Sequence, residues 1–472
     1  MTSSAKRVSV TLASSRMQLR VRGTNPKDDI IASTRHASSR WHVPEPPVSS
    51  VLLHNQDLVD VMFELEPFQA DNRAALAFNM ALGGLVHPLH ENELKPLRKE
   101  KDGTYGPRQW DIPFLSEKLP FTFSSLPRPA NIQRVLQNDI GGGNYFRFTA
   151  LRDTPEENAA AIIDLLGNIT NPRFASQGAI VQMASPTINY AKHWMPNWEN
   201  DFTLNQSDVQ VTVAPRGQIF ELEYHEHYFS TTLLTGSKVL FVFPPHSTNI
   251  GHLRSIFQGK LTRLPSLGIL LEMQHGIAVV QKRGQTLLIP PFWPVMTFCT
   301  ETCVSAGFFV AAASAFMSRI RNTNLWLTEC LFWPTLAQRQ TQLVPYVQEL
   351  AQHLSAILAV DAKQPKMAKS VQQAICSEWV KVSAEYEGEK DGNMEEKVGG
   401  LLGCIEDEGT RRRIAVVFTE AWVSFCELKR RKSGRCRLCG VRVVVLPGDD
   451  EDMPNEKLAR HVRGVHCDFD LS

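Results

Sequence analysis

The sequence predicts an α+β fold in which helices flank a central run of short strands, and a small metal-binding module follows the second helical region. Three observations support this prediction. Apolar residues recur with helical spacing before about residue 168 and again after Ser314. Between these regions, short β-rich runs alternate with turn residues. Near the C-terminus, a Cys-x2-Cys pair precedes a His-x4-His pair, which is a pattern typical of zinc sites.

The composition fits a globular protein with about two or three cores, because the 472 residues are 43% hydrophobic and 21% charged. Lys and Arg number 50 against 49 Asp and Glu, so the overall charge gives no argument for binding nucleic acid or an anionic membrane. None of the nine cysteines precedes Cys299, which disfavours a disulfide framework and favours a reducing, intracellular compartment. No run of about eighteen apolar residues is present, so a membrane partner is not expected.

Residues 1–43 are Ser-rich and basic and lack hydrophobic periodicity, so they are predicted to form a disordered leader. The same composition would also fit a mitochondrial transit peptide. After a Pro-rich stretch, amphipathic helices are predicted from Asp57 to about Leu97 and again at 156–168. Residues 44–175 are therefore interpreted as an N-terminal helical support region.

Residues 176–315 are predicted to form a barrel or sandwich, because several short strands follow one another at close spacing. Turn segments at 235–238 and 282–285 supply the glycine that hairpin reversals need. The predicted strands are AIVQMA, VQVTVAP, QIFELEYHEHYFSTTLL, KVLFVFP, GIAVVQ, QTLLIPP and VMTFCTETCVSAGFFV.

Residues 316–432 return to helical periodicity and are predicted to form a C-terminal helical region. It would pack against the strands or form a small bundle, and the sequence leaves open whether it is a separate domain. The polar segment 387–400 contains glycine and is predicted to be a linker between helices. Residues 433–472 are the predicted zinc-binding module. The predicted helical runs begin near Phe316, Leu343, Met367 and Arg411.

Two stretches, 217–245 and 284–309, resemble the central and closing segments of the jumonji C (JmjC) domain, a branch of the cupin-like Fe(II)/2-oxoglutarate oxygenase superfamily. The second family segment reads Gly-Asp-x-x-x-Ile-Pro-Pro-Gly-Trp-x-His. The resemblance implies a double-stranded β-helix, or jelly-roll, at 176–315, with a two-His, one-carboxylate iron site. It also implies that Lys238 pairs with 2-oxoglutarate. The shared residues are Gly236, Lys238, Phe243, Pro244, Pro245, Gly284, Ile289, Pro290, Pro291 and Trp293.

The iron-binding positions of the family are altered in this chain. When the segments are aligned on Lys238 and the Pro-Pro pairs, the first family His falls on Glu223 and the family carboxylate on His225. The distal family His falls on Val295, which has no group that can bind a metal. The resemblance therefore implies a degenerate iron site, and binding of Fe(II) and 2-oxoglutarate is doubtful.

His227 does not complete the site if the strand is continuous. Glu223 and His227 would share a face, but at about 3.3 Å per residue they lie about 13 Å apart, which is too far for bonds of about 2.1 Å to one ion. A shifted register would make His225 and His227 a cupin-like pair, although it misplaces Lys238. The simpler alternative is a hydrogen-bonded polar cluster without any ion, with Lys238 solvated at the end of its hairpin.

The C-terminal zinc candidate consists of Cys436, Cys439, His461 and His466. A tight turn between two thiolates and one helix face for two imidazoles suit tetrahedral zinc. The module resembles a C2H2 zinc finger with a longer central span, which puts DNA-reading geometry in doubt, and Cys467 is an alternative fourth ligand. The alternative without metal is a pair of incidental thiols beside a basic helix.

The basic segment 429–437 lies next to the zinc candidate and is partly offset by the acidic run at 448–452. Clustered cations of this kind fit a nucleic-acid contact or a nuclear-import signal, so a nuclear location is expected. A histone or another protein is the second partner class that the resemblance implies.

The sequence leaves three functions to be separated. The leading hypothesis is a JmjC protein with an eroded iron site that acts as a chromatin-associated or regulatory binding protein. The second is an active Fe(II)/2-oxoglutarate-dependent dioxygenase, a histone demethylase or protein hydroxylase, with an unidentified third ligand. The third is a purely structural interaction protein.

Overall fold

The computed structural model confirms the α+β class. Its described residues contain thirteen strands and ten helices. The predicted leader, most of the predicted helices at 57–97 and the basic residues 429–432 lie outside the described part. The described residues are 60, 86–88, 113–116, 126–150, 153–171, 178–188, 203–257, 272–331, 335–359, 366–379, 394–426, 435–443 and 453–469.

The strands fall mainly in the region where the sequence predicts them. They are β1 Val86–Pro88, β2 Phe114–Ser116, β3 Arg147–Phe148, β4 Ile180–Ala184, β5 Thr203–Gln206, β6 Gln210–Ala214, β7 Ile219–Glu223, β8 Tyr228–Thr235, β9 Ser237–Val242, β10 Gly276–Lys282, β11 Thr286–Ile289, β12 Val295–Cys299 and β13 Cys303–Ala312.

The helices lie mainly on either side of the strands in sequence. They are α1 Pro129–Gly141, α2 Pro155–Gly167, α3 Ser247–Phe257, α4 Ala313–Arg321, α5 Thr323–Leu331, α6 Leu336–Leu358, α7 Lys366–Trp379, α8 Met394–Gly403, α9 Glu408–Cys426 and α10 Met453–Val465. The predicted helices near 156, 316, 343, 367 and 411 are confirmed, although the run from 316 is divided into α4 and α5.

Two sheets contain the strands. The first has five strands in the order β1-β10-β9-β12-β7. The second has eight, in the order β2-β11-β8-β13-β6-β4-β3, with β5 paired to β13. Apart from the parallel pair of β1 and β10, these pairings are antiparallel. Consecutive strands often lie in different sheets, so the chain crosses repeatedly between them.

Two reversals carry glycine where the sequence predicts it, but the prediction that they are hairpins is wrong, because each joins strands of different sheets. Gly236 separates β8 from β9 with a φ of 77°, and Gly284 separates β10 from β11 with a φ of 91°. Left-handed backbone of this kind is costly for residues with a Cβ. At Gly236 a Cβ would also collide with the backbone of Thr302, so glycine allows this turn to pack closely against the turn between β12 and β13.

The predicted strand QIFELEYHEHYFSTTLL is wrong as a single element. Its first part, β7, ends at Glu223 in the five-stranded sheet, and its second part, β8, begins at Tyr228 in the eight-stranded sheet. His225 and His227 therefore lie in the connection between sheets rather than on one strand. The alternating sequence pattern is compatible with both arrangements, because it does not report which sheet each half joins.

Two other predictions are corrected. Val86–Pro88 lies within the predicted helices at 57–97 but forms a strand beside β10. The segment 387–400 is not wholly a linker, because α8 begins at Met394. Its helical spacing of apolar residues explains the helix, since the buried side chains are Met394, Val398, Leu401 and Leu402.

One hydrophobic core extends from the eight-stranded sheet through the C-terminal helices to α10. It includes Val310 of β13, Leu350 of α6, Trp422 of α9 and Val462 of α10, all buried. Packing therefore continues across residues 316 and 433, the positions of two predicted domain boundaries. These boundaries stay predictions. Among the described helices, none is long and apolar enough to cross a membrane.

Candidate functional site

A cavity of about 860 Å³ lies between the two sheets and is walled on one side by helices α4, α5 and α6. Sites for small molecules commonly have volumes of about 300–1,000 Å³. Charged and imidazole side chains from both sheets and from the helices line the cavity together. These side chains include Glu223, His225, Lys238, Arg319 and Glu349.

Val295 lies in the wall of the cavity directly beside Glu223. The two residues are paired across β12 and β7, and Val295 is also paired with Val242 of β9. Its side chain is buried in an apolar cluster with Leu240 and Trp293. The position that the sequence alignment gives to the distal metal ligand therefore carries a hydrocarbon side chain, next to the position aligned with the first ligand.

His225 is buried at the same place, with its side chain 2% exposed. Its Nε2 lies 4.0 Å from Oε1 of Glu223, and its ring contacts those of Phe229 and Phe309 with centroid distances of 4.4 and 5.2 Å. Glu223 and His225 thus form one acid–imidazole pair in an aromatic surrounding.

Phe292 is hydrogen-bonded to the backbone of His225 in this pair. Its φ is 62°, a left-handed value that is unusual for a residue with a side chain. Its amide donates to the carbonyl oxygen of His225 at 2.6 Å, and its ring stacks on Tyr224 at 5.5 Å. The link between β11 and β12 is therefore attached to the connection between the two sheets.

His227 does not join the acid–imidazole pair. Its Nε2 lies 3.3 Å from Oε1 of Glu349 on α6. Among the residues that the structure describes, the only group of three or more His, Cys, Asp or Glu that could hold a metal ion lies in the C-terminal module. The described part of the cavity thus brings Glu223 and His225 together without a third ligand.

Lys238 crosses the space between the sheets. It lies on β9 of the five-stranded sheet, and its Nζ donates to Oγ of Ser305 at 3.0 Å and to Oγ1 of Thr231 at 3.5 Å, both on the eight-stranded sheet. The residue is only 7% exposed. Burial lowers the pKa of its amino group, against the raising influence of Cys303, Cys299 and Glu223. The alternative of a solvated lysine at a hairpin end is wrong.

The helical side of the cavity contains a buried ionic cluster that the sequence did not reveal. Arg319 of α4 is 1% exposed and donates to Glu226 at 3.3 Å and to Glu349 at 3.0 Å. It also lies 3.1 Å from Nδ1 of His353 and 4.8 Å from the ring centroid of Tyr346. Through these contacts, Arg319 of α4 links the connection between β7 and β8 to α6.

Burial and the guanidinium have opposing effects on the two acids. Burial raises the pKa of Glu226 to about 8 despite Arg319. For Glu349 the effect of burial is outweighed by the His227 hydrogen bond and the charge of Arg319, which lower its pKa to about 2. Burial and Arg319 also lower the pKa of His227, and that of His353 to about 4. The two imidazoles are therefore neutral hydrogen-bonding groups at neutral pH.

Arg319→Met is expected to lower the free energy of unfolding by about 3 kcal/mol, because it leaves buried acceptors without their cation. Urea denaturation measures the change. The matched control is Arg412→Met, which removes an exposed pair with Glu408 within α9 and should cost less than about 0.5 kcal/mol. Equal losses in the two variants would contradict a stabilising role for the cluster.

The four predicted zinc residues come together at the C-terminal module and could hold a metal ion. Their ligand atoms all lie within 4.8 Å of one another. The Sγ of Cys436 is 3.6 Å from Nε2 of His466, and the Sγ of Cys439 is 3.3 Å from Nε2 of His461. The alternative ligand Cys467 is buried nearby but is not one of this group.

A tight turn and a helix end bring these ligands together. The amide of Cys436 donates to the carbonyl oxygen of Val441 at 2.9 Å, and that of Gly440 donates to Cys436 at 2.8 Å. Gly440 has a φ of 72°, which glycine adopts at low cost. The two histidines lie on α10 and at its C-terminal end, so the turn and the helix face each other.

The C-terminal module packs against α7 and α9. Nε1 of Trp379 donates to the carbonyl oxygen of His466 at 2.8 Å, and the Trp379 ring contacts those of Trp422 and Phe469. Arg437 lies 4.1 Å from the ring centroid of Phe425 and donates to the Phe425 carbonyl oxygen. Arg437 of the predicted basic segment is thus half-buried and engaged in contacts within the chain.

Sequence reasoning missed Arg319, Glu349 and His353. The i, i+4 spacing of Glu349 and His353 could have predicted that these two side chains lie on one helical face. The contact of α6 with the connection between the sheets could not be predicted from the sequence. A comparison with known protein families finds none that matches this chain, and a comparison with curated proteins finds no matching relative.

Proposed function

We propose that this chain is a JmjC-like protein whose sheets form a double-stranded β-helix without a working iron site, and that it acts as a binding protein through the cavity. The position of Lys238 supports the proposal, since the lysine aligned with the family's 2-oxoglutarate residue reaches into the space between two mainly antiparallel sheets. The acid–imidazole pair beside it supports the same alignment. A ligand of the binding protein would enter between the sheets.

The observation that carries the proposal is the pairing of Val295 with Glu223. Reductive activation of oxygen needs an iron held firmly with defined open positions. Two ligands at neighbouring positions, facing a valine, supply too few bonds for that task. A chromatin or nuclear partner, whether a histone, another protein or a nucleic acid, rests on the resemblance and on the basic segment 429–437.

We further propose that the C-terminal ion is zinc and that its role is structural. A tetrahedron with bonds of about 2.0–2.3 Å has edges of about 3.3–3.8 Å, which fits the separation of 3.6 Å between Cys436 and His466 and that of 3.3 Å between Cys439 and His461. A metal bound there would fasten the turn to α10 beside the tryptophans of α7 and α9. Four protein ligands leave no open position for catalysis.

Metal analysis of the purified full-length chain tests both proposals. We expect about one zinc and no iron per chain, by mass spectrometry of the metals after anaerobic incubation with Fe(II) and removal of unbound ions. One firmly bound iron, together with succinate formed from 2-oxoglutarate, would establish the dioxygenase instead. The surviving pair of Glu223 and His225 is the observation that favours this second candidate.

A further inference from the structure

The amino group of Lys238 lies against a cavity that can hold a small molecule. Its direct partners are the hydroxyl groups of Ser305 and Thr231. Among the described residues, no carboxylate oxygen lies within 4.0 Å of Nζ. Within the described part of the chain, the amine is therefore buried among neutral hydrogen-bonding partners and is not in an ion pair.

A buried ammonium without a direct ion pair is costly, so burial favours the neutral amine and outweighs the charge of Glu223. A neutral lysine amine has a free electron pair and is a nucleophile toward carbonyl carbon. Arg147 and Arg319 also line the cavity, and Arg319 is already bound to Glu226 and Glu349. A ligand with a carboxylate would have to compete with these two acids for Arg319, whereas an uncharged carbonyl compound would not.

We propose that Lys238 binds small uncharged aldehydes covalently, as imines. The nitrogen attacks the carbonyl carbon to give a carbinolamine, and the carbonyl oxygen then leaves as water with the two hydrogens of the amine. One aldehyde and one lysine amine thus give one imine, with a new carbon–nitrogen double bond, and one molecule of water. The condensation needs no oxidant, reductant or metal.

The surroundings of Nζ suit each stage of this condensation. The Ser305 hydroxyl, at 3.0 Å, can pass a proton to or from the reacting nitrogen. Glu223 acts electrostatically on Lys238 and would stabilise a protonated imine. Phe229 and Phe309 stack with their ring centroids 4.9 Å apart and line the same cavity, which favours an aldehyde with an aromatic body.

Reductive labelling of the full-length protein tests the proposal with benzaldehyde and sodium cyanoborohydride at pH 6.5. Peptide mass spectrometry gives the rate at each lysine. We expect Lys238 to be benzylated at least tenfold faster than Lys369, an exposed lysine of α7, because burial favours the neutral, nucleophilic form of the Lys238 amine. Labelling of Lys238 at the same rate as Lys369, or more slowly, would overturn the proposal.

Lys238→Arg is the matched variant, because arginine keeps a long cationic side chain but is not a nucleophile at this pH. We expect its cavity adduct to disappear while Lys369 is labelled as before. If this variant does not fold, the comparison between Lys238 and Lys369 in the native chain still decides the outcome. The proposal does not rest on the proposed function, because neither result depends on whether the chain binds iron.

Discussion

Glu223→His, His225→Asp and Val295→His together are expected to create an Fe(II) site where the native sequence supplies too few ligands. The pairing of Val295 with Glu223 puts both imidazoles on adjacent strands, next to the carboxylate introduced at position 225. Each of these positions lines the cavity, so the new side chains have space to meet. We expect about one Fe(II) per chain under anaerobic conditions, with Co(II) absorption as a spectroscopic check of coordination.

The control is the double variant Glu223→His, His225→Asp, which retains Val295. It has the first two ligands without the distal one, so its Fe(II) affinity should be at least tenfold weaker than that of the triple variant. Circular dichroism shows whether both variants keep their secondary structure. Equal Fe(II) binding by two folded variants would mean that position 295 does not face the site, and the JmjC alignment would then be wrong.

Cys439→Ser is expected to release the C-terminal metal and unfold residues 435–469. Because Cys439 is exposed, this change removes a thiolate ligand with little effect on core packing. Short metal modules take much of their folding free energy, about 10 kcal/mol or more in zinc-finger peptides, from the ion. We expect the zinc content to fall from about one ion per chain to near zero. Tryptophan fluorescence should shift to the red, because Trp379 becomes exposed to water when the module unfolds.

Cys404→Ser is the matched control, because Cys404 is also exposed and lies at the end of α8, outside the metal-binding group. Its zinc content and thermal midpoint should equal those of the native chain. Limited proteolysis adds a separate readout, since only Cys439→Ser should be cleaved within 435–469 while the strands remain protected. Full zinc content in Cys439→Ser would refute tetrahedral coordination by the four residues.

Local patterns were sufficient for most elements and for the four residues that could hold a metal ion. The pair spacings of Cys436 with Cys439 and of His461 with His466 are short-range signals, and the four ligand atoms meet as expected. Helical periodicity located α2, α6 and α9 for the same reason. These features depend on residues that are near one another in sequence.

Long-range features were not predictable in the same way. The change of sheet between Glu223 and Tyr228 depends on which strands pair, and the alternating pattern is the same in either case. The contact of Arg319 with Glu226 and Glu349 joins parts of the chain that are distant in sequence. The burial of Lys238 also required knowledge of both sheets, since its hydroxyl partners come from the opposite one.

Phe292 occupies the position where the JmjC segment has glycine, and its left-handed backbone costs about 1 kcal/mol. The Tyr224 stack and the hydrogen bond to His225 maintain this conformation. The connection between the sheets, which contributes Tyr224 and His225 to the cavity wall, is therefore held in one conformation. An incoming molecule would lose little affinity to the ordering of this wall, so recognition there depends on fit to an existing shape.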